Sequence, residues 1–474
     1  MQFQPELDSE LEEPLYRQLS AYFARLIESG KLATGERLPA TRELAGQLGL
    51  NRTTVSAAYE LLETEGLITG HVGRGSFVAA RRIAQGPDWE RLLARPAWQA
   101  SWASAAPISF SASRPPEDLF PIEDFRKSVA EVLASGRLEA MLQLGPPGGY
   151  EPLRQYLLEE ARQEGSLGAE DDLLITNGCQ QALDLLRRVL VRTGTRVAIE
   201  DPVYPGLKNV LREGGAELAG FQDVTRTSGA AILMLTPNFQ NPTGLTMPLE
   251  SRELALRTAR DQRMVLVEND IYSRLRYEGE AQPAIKQMAP GAGTVLLRSF
   301  SKISFPGLRL GWVIGPRPLI AAMRETKQLT DLHSDQFSQA VMLRFAESGR
   351  LAAHQARAIA AGQERLQVAL ASVARWLPAG SRWTRPQGGL NLWVTLPDGL
   401  DSGTLLARAQ REGVAYLPGN LFAVERPHTS SLRLSFGGVA PEQIARGIEI
   451  LGQVFEDERK TRQWAEETPM PAMV

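Results

Sequence analysis

Arg298-Ser-Phe-Ser-Lys-Ile-Ser-Phe-Pro-Gly-Leu-Arg-Leu-Gly311 is the stretch on which the reading of this chain turns. Lys302 offers a primary amine able to form a Schiff base with an aldehyde. Ser299 and Ser301 place two hydroxyls just before it. Arg309, seven residues on, adds a guanidinium fork that suits a phosphate better than a lysine would. Taken by itself the run equally describes a solvated surface lysine, so its meaning rests on its surroundings.

Around it, apolar runs at 173–176, 196–200, 231–235, 264–268, 294–297 and 309–314 alternate with helical stretches from about Ile108 onward. Strands alternating with helices predict an α/β domain with a largely parallel sheet. In such sheets ligands collect beyond the carboxyl ends of the strands. The residues with chemistry to offer all stand there. Ile175-Thr-Asn-Gly-Cys-Gln-Gln-Ala182 runs from a strand into a helix, whose first amides suit a phosphate. Gly178 permits close approach, and Cys179 and Gln180 supply N–H groups. Cys179 reads either as a thiol activated by the helix N-terminus or as a small neutral residue tolerated beside the anion. In Glu200-Asp-Pro-Val-Tyr-Pro-Gly206, Tyr204 sits on a loop fixed by two prolines and can stack on a planar ring. In Leu235-Thr-Pro-Asn-Phe-Gln-Asn-Pro-Thr-Gly244, Asn241 can donate its amide to a phenolic oxygen.

Val265-Leu-Val-Glu-Asn-Asp-Ile-Tyr272 ends in an acid, and a buried acid is costly without a cationic partner. A protonated pyridine nitrogen would be such a partner, with Asp270 keeping the ring an electron sink. Tyr272, two residues on, is expected to face the same side and reach the ring hydroxyl. The plainer alternative for Asp270 is a cap on the next helix. A phosphate, a stacked ring, a phenolic oxygen, a pyridine nitrogen and an imine-forming lysine together describe one cofactor, pyridoxal 5'-phosphate.

The order Asn-Gly-x-Gln, Asp-Pro-x-Tyr, Asn-Pro-Thr-Gly, Asp-x-Tyr and Ser-x-Ser-Lys…Arg resembles the fold-type I pyridoxal phosphate enzymes of the aspartate aminotransferase group over about 350 residues. Further strands near Leu390 to Leu396, Val414 to Leu417 and Ser431 to Phe436 fit the smaller C-terminal part of that fold. The resemblance implies that Arg433, in Leu432-Arg-Leu-Ser-Phe436, grips the carboxylate of a substrate or effector; the other reading is a surface arginine at a strand end. It also implies that Lys302, once released, would serve as general base. One departure stands out in Leu144-Gly-Pro-Pro-Gly-Gly-Tyr-Glu-Pro-Leu-Arg154. Leu144 occupies the place of a tyrosine that in the group touches the phosphate of the neighbouring subunit's cofactor. Weaker cofactor retention is expected, and Tyr150 is not assumed to compensate.

The first eighty residues follow another pattern. Pro14 to Ser29 carries a helical apolar stripe stopped by Gly30. A second helix follows Pro39, with Thr41 as expected cap, Leu44, Ala45 and Leu48 inward, and Gly49 at its end. A third runs from about Arg52 to Glu65, with Asn51 as N-cap and Val55, Ala58, Tyr59 and Leu62 inward. Leu67 to Val78 alternates and is broken by glycines, as a two-stranded wing would be. Leu38-Pro-x-x-Arg-x-Leu-Ala and Asn-Arg-Thr-Thr-Val-x-x-Ala-Tyr-x-x-Leu-x-x-x-Gly66 resemble the winged helix-turn-helix of GntR-type transcription factors. The resemblance implies double-stranded DNA as partner and Arg42, Arg52, Thr53, Thr54 and Arg74 as contacts. A protein-docking module is the alternative. From Pro14 to Ala79 seven bases face six acids, so local placement of arginines, not an overall field, would have to draw DNA.

At 474 residues more than one domain is expected. The predicted division is a DNA-binding head at 11–78, a linker at 79–106 with Trp89, Trp98 and Trp102 packed on the larger domain, a cofactor domain at 107–460 with a smaller part from about 335, and a frayed tail at 461–474. The net charge is −3 and no apolar stretch approaches a membrane span. The acidic start, Met-Gln-Phe-Gln-Pro-Glu-Leu-Asp, lacks the basic and apolar regions of a signal peptide. A single cysteine excludes an internal disulfide framework and a thiolate metal centre, so no metal site is expected and the protein is placed in the cytoplasm. Head and cofactor domain together resemble the MocR subgroup of bacterial regulators. That implies a homodimer that binds pyridoxal phosphate, senses an amino compound or the cofactor itself by aldimine exchange at Lys302, and changes its grip on a promoter. An active aminotransferase with an appended DNA-binding head is the second reading, and a pseudo-enzyme without cofactor the third.

Overall fold

The computed structural model describes residues 3–8, 11, 13–71, 75–79, 89, 106–221, 227, 229–291 and 293–467. The chain divides into two compact units, Met1–Ala100 and Ser101–Val474.

In the first unit, helices α1 (Leu15–Glu28), α2 (Thr41–Leu48) and α3 (Arg52–Thr64) precede a hairpin of β1 (Ile68–His71) and β2 (Gly75–Val78). Apolar residues at helical spacing on α1 and α3 close on one another: Leu19, Phe23 and Ile27 meet Val55, Ala58, Tyr59 and Leu62 in a single core. Asn51 caps α3 as predicted, its side chain accepting from the Thr53 amide at 3.1 Å. At α2 the cap differs. Ala40 is the N-cap, without side-chain help, and Thr41 is already helical. Gly49 ends α2 with φ of 67°, a left-handed turn that glycine enters without a Cβ penalty.

The second unit holds a seven-stranded sheet of β4 to β10. A short β3 (Ile108–Ser109) precedes β4 (Asp171–Thr176), β5 (Arg196–Glu200), β6 (Glu217–Phe221), β7 (Ile232–Leu235), β8 (Val265–Asn269), β9 (Thr294–Ser299) and β10 (Gly311–Pro316). The spatial order is β4-β10-β9-β8-β7-β5-β6. β9, β8, β7, β5 and β6 run parallel, and β10 is antiparallel to both neighbours. The apolar runs predicted each of these strands except β6. Glu217-Leu-Ala-Gly-Phe221 is an edge strand, with a mixed sequence that the apolar criterion passes over. Apolar clusters cover both faces. Val267, Val295, Leu297 and Val313 pack on the helix Cys179–Leu190, while Leu233, Leu235 and Leu266 pack on the helix Leu249–Asp261.

The C-terminal part adds β11 (Arg382–Trp383), β12 (Asn391–Thr395), β13 (Val414–Ala415), β14 (Leu417–Pro418) and β15 (Ser431–Ser435). Four of these form an antiparallel sheet of order β11-β12-β15-β14, and β13 pairs in parallel with β3. Through that pairing residues 108–113 are tied to this part of the unit, with Phe110 N–H donating to Ala415 O at 2.8 Å.

Trp89 is 60% exposed, and Trp98 and Trp102 lie outside the described residues. Of the tail expected to fray from 461, residues 461–467 are helical and 468–474 lie outside the described residues. The last helix runs Pro441–Glu467, and pairs such as Arg459 with Glu456 and Arg462 with Glu458 support its polar end.

Candidate functional site

At the carboxyl edge of the large sheet lies a cavity of about 320 Å³. β9 delivers its central group: after Ser299 the chain tightens into a 3₁₀ turn, Phe300–Lys302, and the Lys302 side chain enters the cavity. Lys302 Nζ donates to Ser113 O at 2.6 Å and stands 5.8 Å from the centre of the Tyr272 ring. No carboxylate pairs with this amine among the described residues. An amine held by a neutral carbonyl is free to react with an aldehyde.

One end of the cavity is built for a phosphate. Ser299 Oγ donates to Leu310 O at 2.9 Å, and accepts from the Ser301 amide at 3.0 Å. Ser301 Oγ stands 2.8 Å from Ser299 Oγ. Arg309 takes a left-handed conformation, φ 54°, just before β10, and turns toward Asn177 O at 3.4 Å. Gly178 is the N-cap of the helix Cys179–Leu190, whose first amides have no intrahelical acceptor. At φ of 76°, Gly178 leaves room that a side chain would fill: a Cβ there would lie 2.7 Å from Arg309 Nη2. Hydroxyls, free amides and a guanidinium thus converge, which is the donor set of a phosphate dianion.

The two readings of Cys179 are now separable. Burial pushes its thiol up to about 12, against the pull of Lys302 and Arg309, so it is a neutral small residue beside the anion site and not an activated thiolate.

Tyr204, ahead of the helix Pro205–Glu213, and Asn241, after β7, also line the cavity. Burial raises the Tyr204 hydroxyl above its ordinary value. Tyr272 is buried, its hydroxyl 3.3 Å from Ser113 Oγ. Arg433 arrives from β15 of the smaller sheet, opposite Trp393 of β12 and Leu417 of β14. It is 3% exposed, which removes the surface-arginine reading. Its Nη1 donates to Asn241 Oδ1 at 2.9 Å, another nitrogen donates to Ser111 O, and its Nε has no partner. Burial pulls the guanidinium down to about 10, which still leaves a cation at neutral pH. A buried cation with an unsatisfied N–H is suited to a carboxylate.

Asp270 is not brought to this cavity, and its predicted place beside the ring nitrogen is corrected. Its carboxylate accepts from Asn238 Nδ2 at 2.8 Å and Ser273 Oγ at 2.8 Å, and pairs with Arg298 Nε at 3.3 Å. The cationic partner that burial demands is Arg298, which also pairs with Glu164. Nor does Asp270 cap the following turn, whose N-cap is Tyr272. The residue that does line the cavity at the end of β8 is Asn269. Sequence reasoning missed it, together with Ser111, Ser113 and Thr236. The signal for Asn269 was present in the two-residue period of a strand; Ser111 and Ser113 depend on the β3–β13 pairing and had no local signal.

Leu144 is 70% exposed, and Tyr150 sits ahead of the helix Glu151–Gln163, outside the cavity lining. In the first unit Arg42 is exposed in the first turn of α2, while Arg52, Thr53 and Thr54 open α3, the two former exposed and Thr54 half-buried. Arg74 lies outside the described residues.

Among the described residues no helix is long and apolar enough to cross a membrane, and no cluster of potential metal ligands occurs. The residues lining the cavity fit the phosphate and the aldehyde of pyridoxal 5'-phosphate, with an amide where a carboxylate was expected.

Residues 107–451 match the family described as aminotransferase class I and II, and residues 15–78 match the bacterial regulatory proteins of the gntR family. The chain is 32% identical to aromatic-amino-acid aminotransferase 1 of Thermococcus litoralis over 371 residues, 74% of this chain and 89% of that one. It is 29% identical to the HTH-type transcriptional regulator TauR of Rhodobacter capsulatus over 454 residues, 89% of this chain and 92% of that one. The structure of Pyrococcus horikoshii kynurenine aminotransferase, solved with PMP, superposes with a TM-score of 0.71 at 31% identity, covering 80% of this chain and 97% of that one. The chain therefore belongs to the aminotransferase class I and II family and, through its gntR-type head, has the composition of a MocR-type transcriptional regulator.

Proposed function

We propose that this protein is a cytoplasmic, homodimeric transcriptional regulator that holds pyridoxal 5'-phosphate on Lys302 and responds to an amino-acid-like compound or to the cofactor itself. The observation that carries the reading is the meeting of an amine held by a neutral carbonyl, a phosphate donor set and a buried arginine in one cavity of a chain with a gntR-type head. When bound, the cofactor supplies an aldehyde that reacts reversibly with amines. Ser299, Ser301, Arg309 and the amides of Cys179 and Gln180 hold its phosphate. Tyr204 covers the ring, and Asn241 and Tyr272 address its hydroxyl. Arg433 Nε and Nη2 orient the carboxylate of an incoming amino acid, whose amine then competes with Lys302 Nζ for the aldehyde. Arg42, Arg52, Thr53, Thr54 and Arg74 contact double-stranded DNA, and the two sites communicate by a coupling of about 1–3 kcal/mol, the usual allosteric range.

The test is a titration of the full-length protein with a panel of amino acids, followed by cofactor absorbance with and without promoter DNA. A spectral change whose midpoint moves when DNA is present supports the reading. Spectral change that DNA never alters, together with turnover on a keto acid at about 10 per second, would favour the second reading, an aminotransferase with an appended head. That alternative is supported by the 32% identity to an aminotransferase.

A further inference from the structure

β8 presents alternate residues to opposite faces of the sheet. Val267 packs with Val295, Leu297 and Leu183 on the face of the helix Cys179–Leu190, and Asn269, two residues on, lines the cavity on that same face. Leu266 packs with Leu233, Leu235 and Ala255 on the other face, and Asp270 follows it, engaged by Asn238, Ser273 and Arg298. Cys179 Sγ lies 3.9 Å from Asn269 Oδ1. Asn269 Nδ2 has no hydrogen-bond partner among the described residues, and the residue is 7% exposed. Among the described residues the cavity lining contains three cationic side chains, Lys302, Arg309 and Arg433, and no carboxylate.

We propose that Asn269 is the residue that meets the ring nitrogen of bound pyridoxal phosphate and that it holds this nitrogen unprotonated. The inference rests on the cofactor reading above and sharpens it. A carboxylate beside a pyridine nitrogen stabilises the protonated ring through an ion pair; a neutral amide cannot. Its N–H donates instead into the nitrogen lone pair. Arg433 in the same cavity disfavours one more positive charge there, and Asp270, which could have offset it, is neutralised by Arg298 behind the strand. An unprotonated ring draws electrons weakly, so removal of the Cα proton from a bound amino acid is disfavoured. Exchange of amines at the aldehyde carbon does not need that electron sink. Asn269 thereby separates recognition of an amino compound from its turnover, and the site reads as a receptor.

The deciding measurement is nitrogen NMR of the full-length protein reconstituted with pyridoxal phosphate carrying ¹⁵N in the ring. The expected resonance lies in the range of free pyridine from pH 6 to pH 9, and Asn269→Asp moves it into the pyridinium range. Asp270→Asn leaves it unmoved; if that variant does not fold, Ser273→Ala, which loosens Asp270 without removing it, is the substitute with the same expectation. A pyridinium resonance in the unaltered protein, or one indifferent to Asn269→Asp, overturns the assignment. Failure of the chain to take up the cofactor, with no borohydride adduct on Lys302, overturns the cofactor reading itself and is distinguishable from either result.

Discussion

Asn269 and Asp270 are neighbours in the chain, yet they serve opposite faces of one sheet: the amide opens into the cavity and the carboxylate is bound to Arg298 behind it. Asp270→Asn leaves the Arg298 guanidinium, buried and otherwise paired with Glu164, without half of its compensation. The expected loss is about 3 kcal/mol in chemical denaturation of the large domain. The folded variant is expected to keep forming a borohydride adduct on Lys302, and loss of the adduct without loss of stability would place Asp270 in the site after all.

Lys302→Ala removes the only amine among the described residues that line the cavity. Loss of the adduct with unchanged denaturation of the gntR-type head is the expected pair of results, read by peptide mass mapping and circular dichroism. A head that unfolds in this variant would show that the two units depend on one another.

Arg433→Lys keeps the positive charge but loses the fork that already reaches Asn241 and Ser111. The concentration of amino acid needed for half of the spectral change is expected to rise at least about tenfold, or 1.4 kcal/mol. A non-carboxylate amine should be unaffected, and equal weakening of both would argue that Arg433 is only a packing residue.

Arg52→Ala should weaken operator binding by about 1–3 kcal/mol if the residue reads a base, and by less with a shallower salt dependence if it meets a phosphate. Gel-shift titration over a range of salt separates these outcomes. Unchanged affinity would remove Arg52 from the DNA contact set.

Asp201 supplies a pH dependence. Burial would raise its carboxyl, but a bond with His428 and the amides of Val424, Glu425 and Arg426 outweigh that and hold it at about 2, below its ordinary 3.8. A depressed folded value contributes stability that is fully present above pH 4 and is lost as pH falls toward 2. Denaturation midpoints of Asp201→Asn should therefore fall less between pH 4 and pH 2.5 than those of the unaltered protein.

Local pattern was enough for much of this molecule. Short apolar runs located every strand of the large sheet but the mixed edge strand Glu217–Phe221, because buried parallel strands are apolar along their whole length. Glycines and the Asn51 cap marked the helices of the head, because capping is a short-range hydrogen bond. Lys302, Ser299, Ser301, Tyr204, Tyr272 and Arg309 were legible in the cavity because each follows a strand or turn whose end the sequence announces. Which of two adjacent residues faces the cavity was not legible from residue chemistry, since an aspartate attracts attention wherever it stands. The tertiary structure decided it: sheet packing fixes the face of each β8 side chain, and Arg298 supplies a cation from a neighbouring strand. The structure alone also brought Ser113 O to Lys302 and Arg433 to Asn241, because those contacts join residues 189 and 192 positions apart through pairing that no local sequence signal encodes.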